Sequence, residues 1–165
     1  LGTMEFARIA GAKVIAMDIQ DSRLSFCRDK LNIPHTVNAR GDVMAELSRI
    51  TDGDMPTVII DATGNLRAIT TAFQYLAHGG RYVLVGLQKE NISFNHPEFH
   101  KRESTLMSSR NATRADFDQV ISSMNRKLVD PATYITHQTG FDEAKYVFKN
   151  FLNPNELVIK AMISF

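Results

Sequence analysis

Short apolar runs separated by helix-length segments recur along the first half of this chain. The runs KVIAMD, TVIIDAT and RYVLVG are typical of strands that are buried on both faces of a sheet. Between them, DVMAELSRIT carries a helical apolar stripe and LRAITTAFQYL also predicts a helix, while GDMP and HGG are helix breakers. A shorter run, HTVN, predicts one more strand. This alternation predicts right-handed βαβ units and an open, doubly wound parallel sheet.

The rhythm changes after Gly86. NISFN predicts a short extended segment, PEFHKRE a helical turn, STLMSS a strand and RADFDQVISSMNRKL a helix. An extended segment near Asp130 and Pro131 then leads to a last helix, FDEAKYVFKNFL, and a final strand, LVIKAMISF. No low-complexity linker divides the chain, so the candidate boundary between domains lies near Asp130 and Pro131.

Composition and charge narrow the classes of function. The chain has 165 residues, of which 44% are hydrophobic, and its formal net charge is +1. These values predict a globular protein and give no electrostatic indication of a nucleic acid or membrane partner. One cysteine, Cys27, excludes an internal disulfide and a thiolate-rich metal site, and it favours a cytoplasmic location. No apolar run has the length of a membrane span, and charges near the start disfavour a signal peptide.

Ligands of doubly wound sheets bind outside the carboxyl ends of the strands, which directs attention to Asp18. A carboxylate there can accept hydrogen bonds from both hydroxyls of an adenosine ribose, and it would repel the 2′-phosphate of NADP, which favours NAD. Alternatively, Asp18 only caps the helix that begins near Asp21, although Asp21 or Ser22 could also be its cap. Arg23 could lie over the adenine or could simply be solvated.

Three further strand ends carry candidate residues. In DATGN, small residues would let the backbone approach a ligand and Gly64 would relieve the turn, or else Asn65 caps an ordinary helix. Gly86 ends the strand in VGL. In SSRNATR, Ser109 and Arg110 offer polar contacts, while Thr113 could cap the following helix.

Other residues do not predict a catalytic site. We expect the histidines on different elements, with no pair at the one-face spacing of a metal-binding helix: His35, His78, His96, His100 and His137. Cys27 is predicted to be a packing residue. A complete short-chain reductase is also disfavoured, because it needs a Tyr-x-x-x-Lys pair that Tyr75, Tyr82 and Tyr146 do not provide.

The ordered set KVIAMD, TVIIDATGN, GGRYVLVGL, ISFN-PEFH, SSRNATR and VIKAMISF resembles the medium-chain, zinc-type alcohol and polyol dehydrogenases. The resemblance covers essentially the whole chain, and PEFHKRE with SRNATR looks like the branch that oxidises sugar acids, such as hexonate dehydrogenases. It implies an α/β, Rossmann-like doubly wound sheet in residues 1–130 that lacks its first strand and glycine-rich turn. Residues 131–165 would then be the returning piece of a GroES-like catalytic domain.

The resemblance also implies roles for individual residues. Asp18 and Arg23 would hold the adenosine, and Lys160 would lie against the pyrophosphate. The remaining implied contacts line the pocket along the cofactor or bind the nicotinamide carboxamide: Ala62, Thr63, Gly64, Val85, Gly86, Leu87, Ser109 and Arg110. The stretch LQKENISFN, residues 87–95, resembles the edge segment through which such domains form homodimers.

Two functions are therefore expected. The first is a cofactor-binding fragment of an NAD-dependent zinc dehydrogenase whose parent oxidises a secondary alcohol of a polyol or sugar acid. Such a fragment would bind NAD weakly or not at all and would be inactive, because the zinc ligands belong to the N-terminal domain of the full-length parent. The alternative is a non-catalytic Rossmann-like module that serves dimerisation or nucleotide sensing.

Overall fold

The computed structural model describes the backbone of residues 1–165 and every side chain except that of Pro154. The chain forms two compact units. Unit 1 comprises residues 1–36 and 113–165, and unit 2 comprises residues 37–112. Residues 130 and 131 both lie in unit 1, so the division into 1–130 and 131–165 stays a prediction. Across the described residues, no helix has the length and apolar character needed to cross a membrane.

Unit 1 consists of two segments of helices and strands. The first segment holds α1 (Gly2–Ile9), β1 (Ile15–Asp18) and α2 (Asp21–Leu31), and β1 pairs with β2 (His35–Asn38), whose last two residues are counted in unit 2. The second segment holds α6 (Arg114–Asn125), β6 (Ile135–Gly140), α7 (Phe141–Phe151) and β7 (Lys160–Ser164). In this segment β6 and β7 form a parallel pair, with Ile135 opposite Lys160.

The core of unit 1 packs α2 against β1. Ala16 of β1 lies in one cluster with Cys27, Leu31 and Ile33, all of them buried. α2 ends because Asn32 adopts the left-handed conformation, with a φ of 53°. Burial raises the pKa of the Cys27 thiol, which is consistent with the predicted packing role rather than with a reactive thiolate.

Unit 2 contains the most regular part of the fold. In chain order it holds α3 (Val43–Ile50), β3 (Val58–Asp61), α4 (Leu66–Ala72), β4 (Arg81–Leu84), α5 (His96–Lys101) and β5 (Thr105–Ser108). The three strands form one parallel sheet in the order β3-β4-β5, in which Arg81 lies between Val58 and Thr105. The predicted alternation of strands and helices is therefore present here.

An aromatic core joins this sheet to the helices beside it. Tyr82 of β4 is fully buried and makes an edge contact with Phe73, at 4.8 Å between ring centroids. Phe73 in turn stacks on Phe94 at 4.6 Å. The hydroxyl of Tyr82 donates to the carbonyl oxygen of Ile69 in α4 at 3.0 Å, and burial raises the pKa of this phenol. β4 is thus tied to α4 by packing and by a hydrogen bond.

One expectation about the sheet needs correction. The strands are not buried on both faces: Val58 and Ile60 of β3 are 49% and 39% exposed, and Met107 of β5 is 48% exposed. The sheet is also not continuous, because β1 and β3 belong to separate sheets.

The segment that leads into α5 differs from expectation as well. Residues 91–95, predicted to be extended, form no strand in the structure. Asn95 caps α5 by accepting the backbone N–H of Glu98 at 3.2 Å, and this cap begins the helix one residue before Pro97. His96 therefore lies on α5 together with His100, one turn away. The prediction that no two histidines share a helix face is wrong.

Candidate cofactor site

The turn after β3 is organised by the side chain of Asp61. This carboxylate is only 7% exposed, and its Oδ1 accepts the backbone N–H groups of Thr63 at 3.0 Å and of Gly64 at 3.2 Å. The Thr63 hydroxyl donates to the same carboxylate at 3.0 Å. No role is predicted for Asp61 from the sequence alone, although an Asp followed two residues later by Thr at a strand end is a turn signal.

The chain after β4 lies directly on this turn. The backbone N–H groups of Val85 and Gly86 both donate to the carbonyl oxygen of Asp61, at 2.8 Å and 3.0 Å. A Cβ atom added to Gly86 would lie 2.3 Å from the nitrogen of Gly64, and one added to Gly64 would lie 2.6 Å from the carbonyl oxygen of Leu87. Because Gly64 also has a φ of +62°, both positions require glycine.

The end of β5 completes the carboxyl edge of this sheet. The backbone N–H of Ser109 donates to the carbonyl oxygen of Leu84 at 2.9 Å, while Arg110 is exposed. Val85 is 45% exposed and Leu87 91% exposed. Unit 2 thus brings the predicted residues of three strand ends to one edge of the sheet: Ala62, Thr63, Gly64, Val85, Gly86, Leu87, Ser109 and Arg110.

In unit 1, Gln20 connects the two residues predicted to bind adenosine. Its backbone N–H donates to Oδ1 of Asp18 at 2.9 Å, and its side-chain oxygen accepts from Nε of Arg23 at 3.1 Å. Gln20, rather than Asp21 or Ser22, is the N-cap residue of α2, so that cap prediction is wrong. The turn closed by Asp18 causes this difference, since it positions Gln20 at the helix start.

Asp18 is half-buried and uses one carboxylate oxygen for this turn. Lys160, predicted to lie against the pyrophosphate, is the exposed first residue of β7 and so belongs to a different sheet from β1. Three of the predicted cofactor-binding residues lie in unit 1: Asp18, Arg23 and Lys160. The others lie in unit 2, at the sheet edge described above.

Asn65 and Thr113, which the sequence offered as possible helix caps, do cap helices. Asn65 accepts the backbone N–H of Ala68 at 3.1 Å at the start of α4. Thr113 forms a reciprocal capping box with Asp116 at the start of α6, and its hydrogen bonds lower the pKa of the Asp116 carboxyl. These residues therefore have structural roles that do not depend on a ligand.

Metal ligands are a separate question. Among the described residues, no group of three or more His, Cys, Asp or Glu side chains could hold a metal ion. The side chains of this part of the chain do not fit a catalytic zinc centre. We therefore assign no chemical step of these residues to zinc.

Parallel strands joined by helices, with glycine turns at the strand ends, define a Rossmann-like α/β domain. The family model described as zinc-binding dehydrogenase matches residues 1–126, and the chain belongs to this family. The resemblance inferred from the sequence is thereby confirmed.

Individual relatives agree with this assignment. The chain is 33% identical to L-galactonate-5-dehydrogenase of Escherichia coli K12 over 165 residues, which are 100% of the chain and 48% of the relative. It is 30% identical to alcohol dehydrogenase 1 of Petunia hybrida, across 99% of the chain and 44% of that protein. The chain thus spans about half the length of these curated relatives.

Solved structures show the same fold. An alcohol dehydrogenase of Escherichia coli CFT073 in complex with NADH superposes with a TM-score of 0.81 at 25% identity, over 92% of this chain and 44% of that one. For 2R,3R-butanediol dehydrogenase of Bacillus subtilis the TM-score is 0.86 at 19% identity, over 98% and 46% of the two chains. The predicted Rossmann-like fold is confirmed.

Proposed function

We propose that this chain is the cofactor-binding part of an NAD-dependent, zinc-containing dehydrogenase that oxidises a secondary alcohol of a polyol or sugar acid. The observation that carries the proposal is the glycine contact between the ends of β3 and β4, in which Gly86 and Gly64 leave no room for a Cβ atom. On either side of Gly86, Val85 and Leu87 are 45% and 91% exposed, and a flat amide such as the nicotinamide carboxamide would be bound beside them.

The preference for NAD rests on Asp18. One of its oxygens holds the Gln20 turn, which fixes the orientation of the carboxylate and leaves the other oxygen for a ribose hydroxyl. A 2′-phosphate at the same place would be repelled by this charge. In support, the relative from E. coli CFT073 was crystallised with NADH, and a relative from Sulfurisphaera tokodaii is an NAD-dependent alcohol dehydrogenase.

In the whole enzyme, the bound nicotinamide supplies the acceptor for the hydride of the alcohol. The residues of this chain would bind and orient the cofactor. Val85, Leu87, Ser109 and Arg110 would hold the nicotinamide end, and Lys160 would neutralise pyrophosphate charge without the bidentate geometry of an arginine. Residues 131–165 would return to the catalytic domain, and that domain would hold the zinc. On this proposal the chain alone is inactive.

The substrate class rests on the relatives. L-galactonate-5-dehydrogenase, D-xylulose reductase of Scheffersomyces stipitis and sorbitol dehydrogenase of Halalkalibacterium halodurans are named for sugar acids or polyols and their ketoses. The first of these matches the full length of this chain. We therefore favour a sugar acid or polyol over a simple alcohol as the substrate of the whole enzyme.

Isothermal titration of the chain with NAD⁺ and NADP⁺ tests the cofactor proposal. We expect weak binding of NAD⁺ and none of NADP⁺, and at least tenfold weaker NAD⁺ binding in the variant Asp18→Asn, which keeps the oxygen that accepts the Gln20 N–H. The matched control is Asp29→Asn, which removes an exposed carboxylate from α2 of the same unit and should leave binding unchanged. Tighter binding of NADP⁺, or equal losses in the two variants, would contradict the role of Asp18.

Homodimer formation through residues 87–95 is a separate proposal. This segment forms no strand here, and Phe94 packs against Phe73 and Phe99 with centroid distances of 4.6 and 5.0 Å. If two copies pair through this segment, its backbone must become extended while Phe94 lies in these aromatic contacts. Light scattering across a concentration series measures the mass directly, and a monomer at all concentrations would reject the dimer.

A further inference from the structure

Two imidazole rings lie side by side on α5, and neither histidine belongs to the candidate cofactor site. His96 and His100 are four residues apart, which places them on the same face of the helix, and their ring centroids are 5.8 Å apart. Both residues are exposed. No hydrogen bond to either ring is present among the described residues, so the ring nitrogens are available to a ligand from solvent.

Two charged residues of the same segment pair with each other. Glu98, between the two histidines in sequence, pairs through its carboxylate with Arg102 at 2.8 Å. The same guanidinium also donates to the carbonyl oxygen of Glu98 at 3.0 Å. This pairing neutralises the Arg102 charge, and the imidazole nitrogens of His96 and His100 stay free to bind a cation.

We propose that His96 and His100 form a two-histidine chelate for a divalent transition-metal cation of the Zn²⁺, Ni²⁺ and Cu²⁺ class, with water as the remaining ligands. Metal–nitrogen bonds of about 2.0–2.1 Å in a tetrahedral arrangement put two imidazole centroids roughly 5 Å apart. The observed 5.8 Å is close enough for a small rotation of either side chain to close the chelate. Hard cations such as Mg²⁺ and Ca²⁺ are disfavoured, because they prefer oxygen ligands.

The chelate depends on the spacing of the two residues. Once one imidazole has bound the cation, the second ligand is held at high effective concentration on the same helix. A single exposed histidine has no such advantage. His78 provides the comparison within the same unit, because it is exposed and lies outside α5.

Titration of the whole chain with Zn²⁺ by calorimetry, together with the imidazole signals in NMR spectra, tests the proposal. We expect one Zn²⁺ per chain and shifts of the His96 and His100 rings together. His96→Asn and His100→Asn should each weaken binding at least tenfold, and His78→Asn should leave it unchanged. Circular dichroism of each variant checks that the exposed substitutions preserve the fold.

A register variant keeps the number of histidines constant. Combining His100→Asn with Lys101→His moves the second imidazole to another face of α5, and binding should stay as weak as in His100→Asn alone. The proposal is overturned if this variant binds as tightly as the wild type, or if His78→Asn is as weak as His100→Asn. It is also overturned if one Zn²⁺ is bound per two chains, or if Zn²⁺ does not bind at millimolar concentration.

Discussion

The ends of β3 and β1 use their acidic residues in opposite ways. At the end of β3 in unit 2, Asp61 is buried and accepts hydrogen bonds from both the backbone and the hydroxyl of Thr63 and from the backbone of Gly64. At the end of β1 in unit 1, Asp18 is half-buried and holds a single backbone N–H, that of Gln20. The same residue type at equivalent places is structural in one unit and available to a ligand in the other.

The surroundings of the two carboxylates explain why Asp61 and Asp18 have different roles. At β3 the carboxylate accepts hydrogen bonds from Thr63 and Gly64 within its own turn, and the chain after β4 packs closely on that turn at Gly64 and Gly86. At β1 the turn needs only one oxygen. We therefore expect substitutions around Asp61 to change folding stability, and substitutions at Asp18 to change binding alone.

The largest expected effect is that of Gly86→Ala in unit 2. The added Cβ would lie 2.3 Å from the nitrogen of Gly64, so the two strand ends must separate. We expect a loss of about 2–3 kcal/mol in the free energy of unfolding, measured by urea denaturation. Gly41→Ala is the control, because its Cβ would be at an ordinary 3.5 Å from the nearest atom, and it should change stability by less than about 0.5 kcal/mol. Equal losses of stability in the two variants would show that Gly86 does not pack closely against Gly64.

A smaller loss is expected for Tyr82→Phe, which tests whether the sheet of unit 2 depends on its buried polar pairing. The substitution keeps the aromatic contact with Phe73 and removes the hydrogen bond to the Ile69 carbonyl. We expect a destabilisation of about 1–2 kcal/mol in the same denaturation experiment. Tyr146→Phe, at a side chain that is 73% exposed, should have no measurable effect. An unchanged stability of Tyr82→Phe would mean that the hydrogen bond contributes nothing.

In unit 1, a substitution at Glu5 should increase the stability of the protein instead of lowering it. This residue is 6% exposed, its Oε2 makes no hydrogen bond within the described part of the chain, and burial raises the pKa of its carboxyl despite Arg8 at 3.9 Å. Glu5→Gln, which removes the buried charge, should therefore stabilise the protein by about 1 kcal/mol at neutral pH.

The raised pKa of Glu5 also predicts how the stability of the protein depends on pH. Because the folded-state pKa is raised, the favourable contribution of protonated Glu5 is complete below the ordinary value of 4.5 and is lost as the pH rises through the folded-state pKa. The advantage of Glu5→Gln should therefore disappear below pH 4.5. Denaturation curves at acidic and neutral pH measure it, and an advantage that persists in acid would contradict the burial argument.

The smallest effect on stability is expected for Asp18→Asn. The asparagine keeps an oxygen that can accept the Gln20 N–H, so the turn before α2 should survive. We expect a change of less than about 0.5 kcal/mol in the free energy of unfolding. A loss comparable to that of Gly86→Ala would mean that Asp18 is as structural as Asp61, and the contrast between the two strand ends would fail.

Much of the fold could be predicted because its signals are local. The runs that end at Asp18 and Asp61 are strands, Gly11 has a φ of +88° after α1, and Asn65 and Thr113 cap helices as their side chains allow. Each of these features depends on a few neighbouring residues. The family resemblance was likewise carried by short ordered motifs, which the match over residues 1–126 bears out.

The features that sequence reasoning missed depend on atoms distant along the chain or on the position of a cap. The exposure of Val58 and Met107 reflects which neighbouring elements cover the sheet, and an apolar run does not reveal this. The pairing of His96 with His100 was missed because Asn95 extends α5 back to His96. The burial of Asp61 was missed because the chain that covers it comes from the end of β4.

The amino-acid sequence alone determined the order of strands and helices, the glycines at the strand ends and the family, because periodicity, capping and turn chemistry act over a few residues. The tertiary structure decided that Asp61 is buried, and why Gly64 and Gly86 admit no side chain. Both depend on how closely the end of β4 approaches the end of β3, and that distance is set by packing between segments more than twenty residues apart.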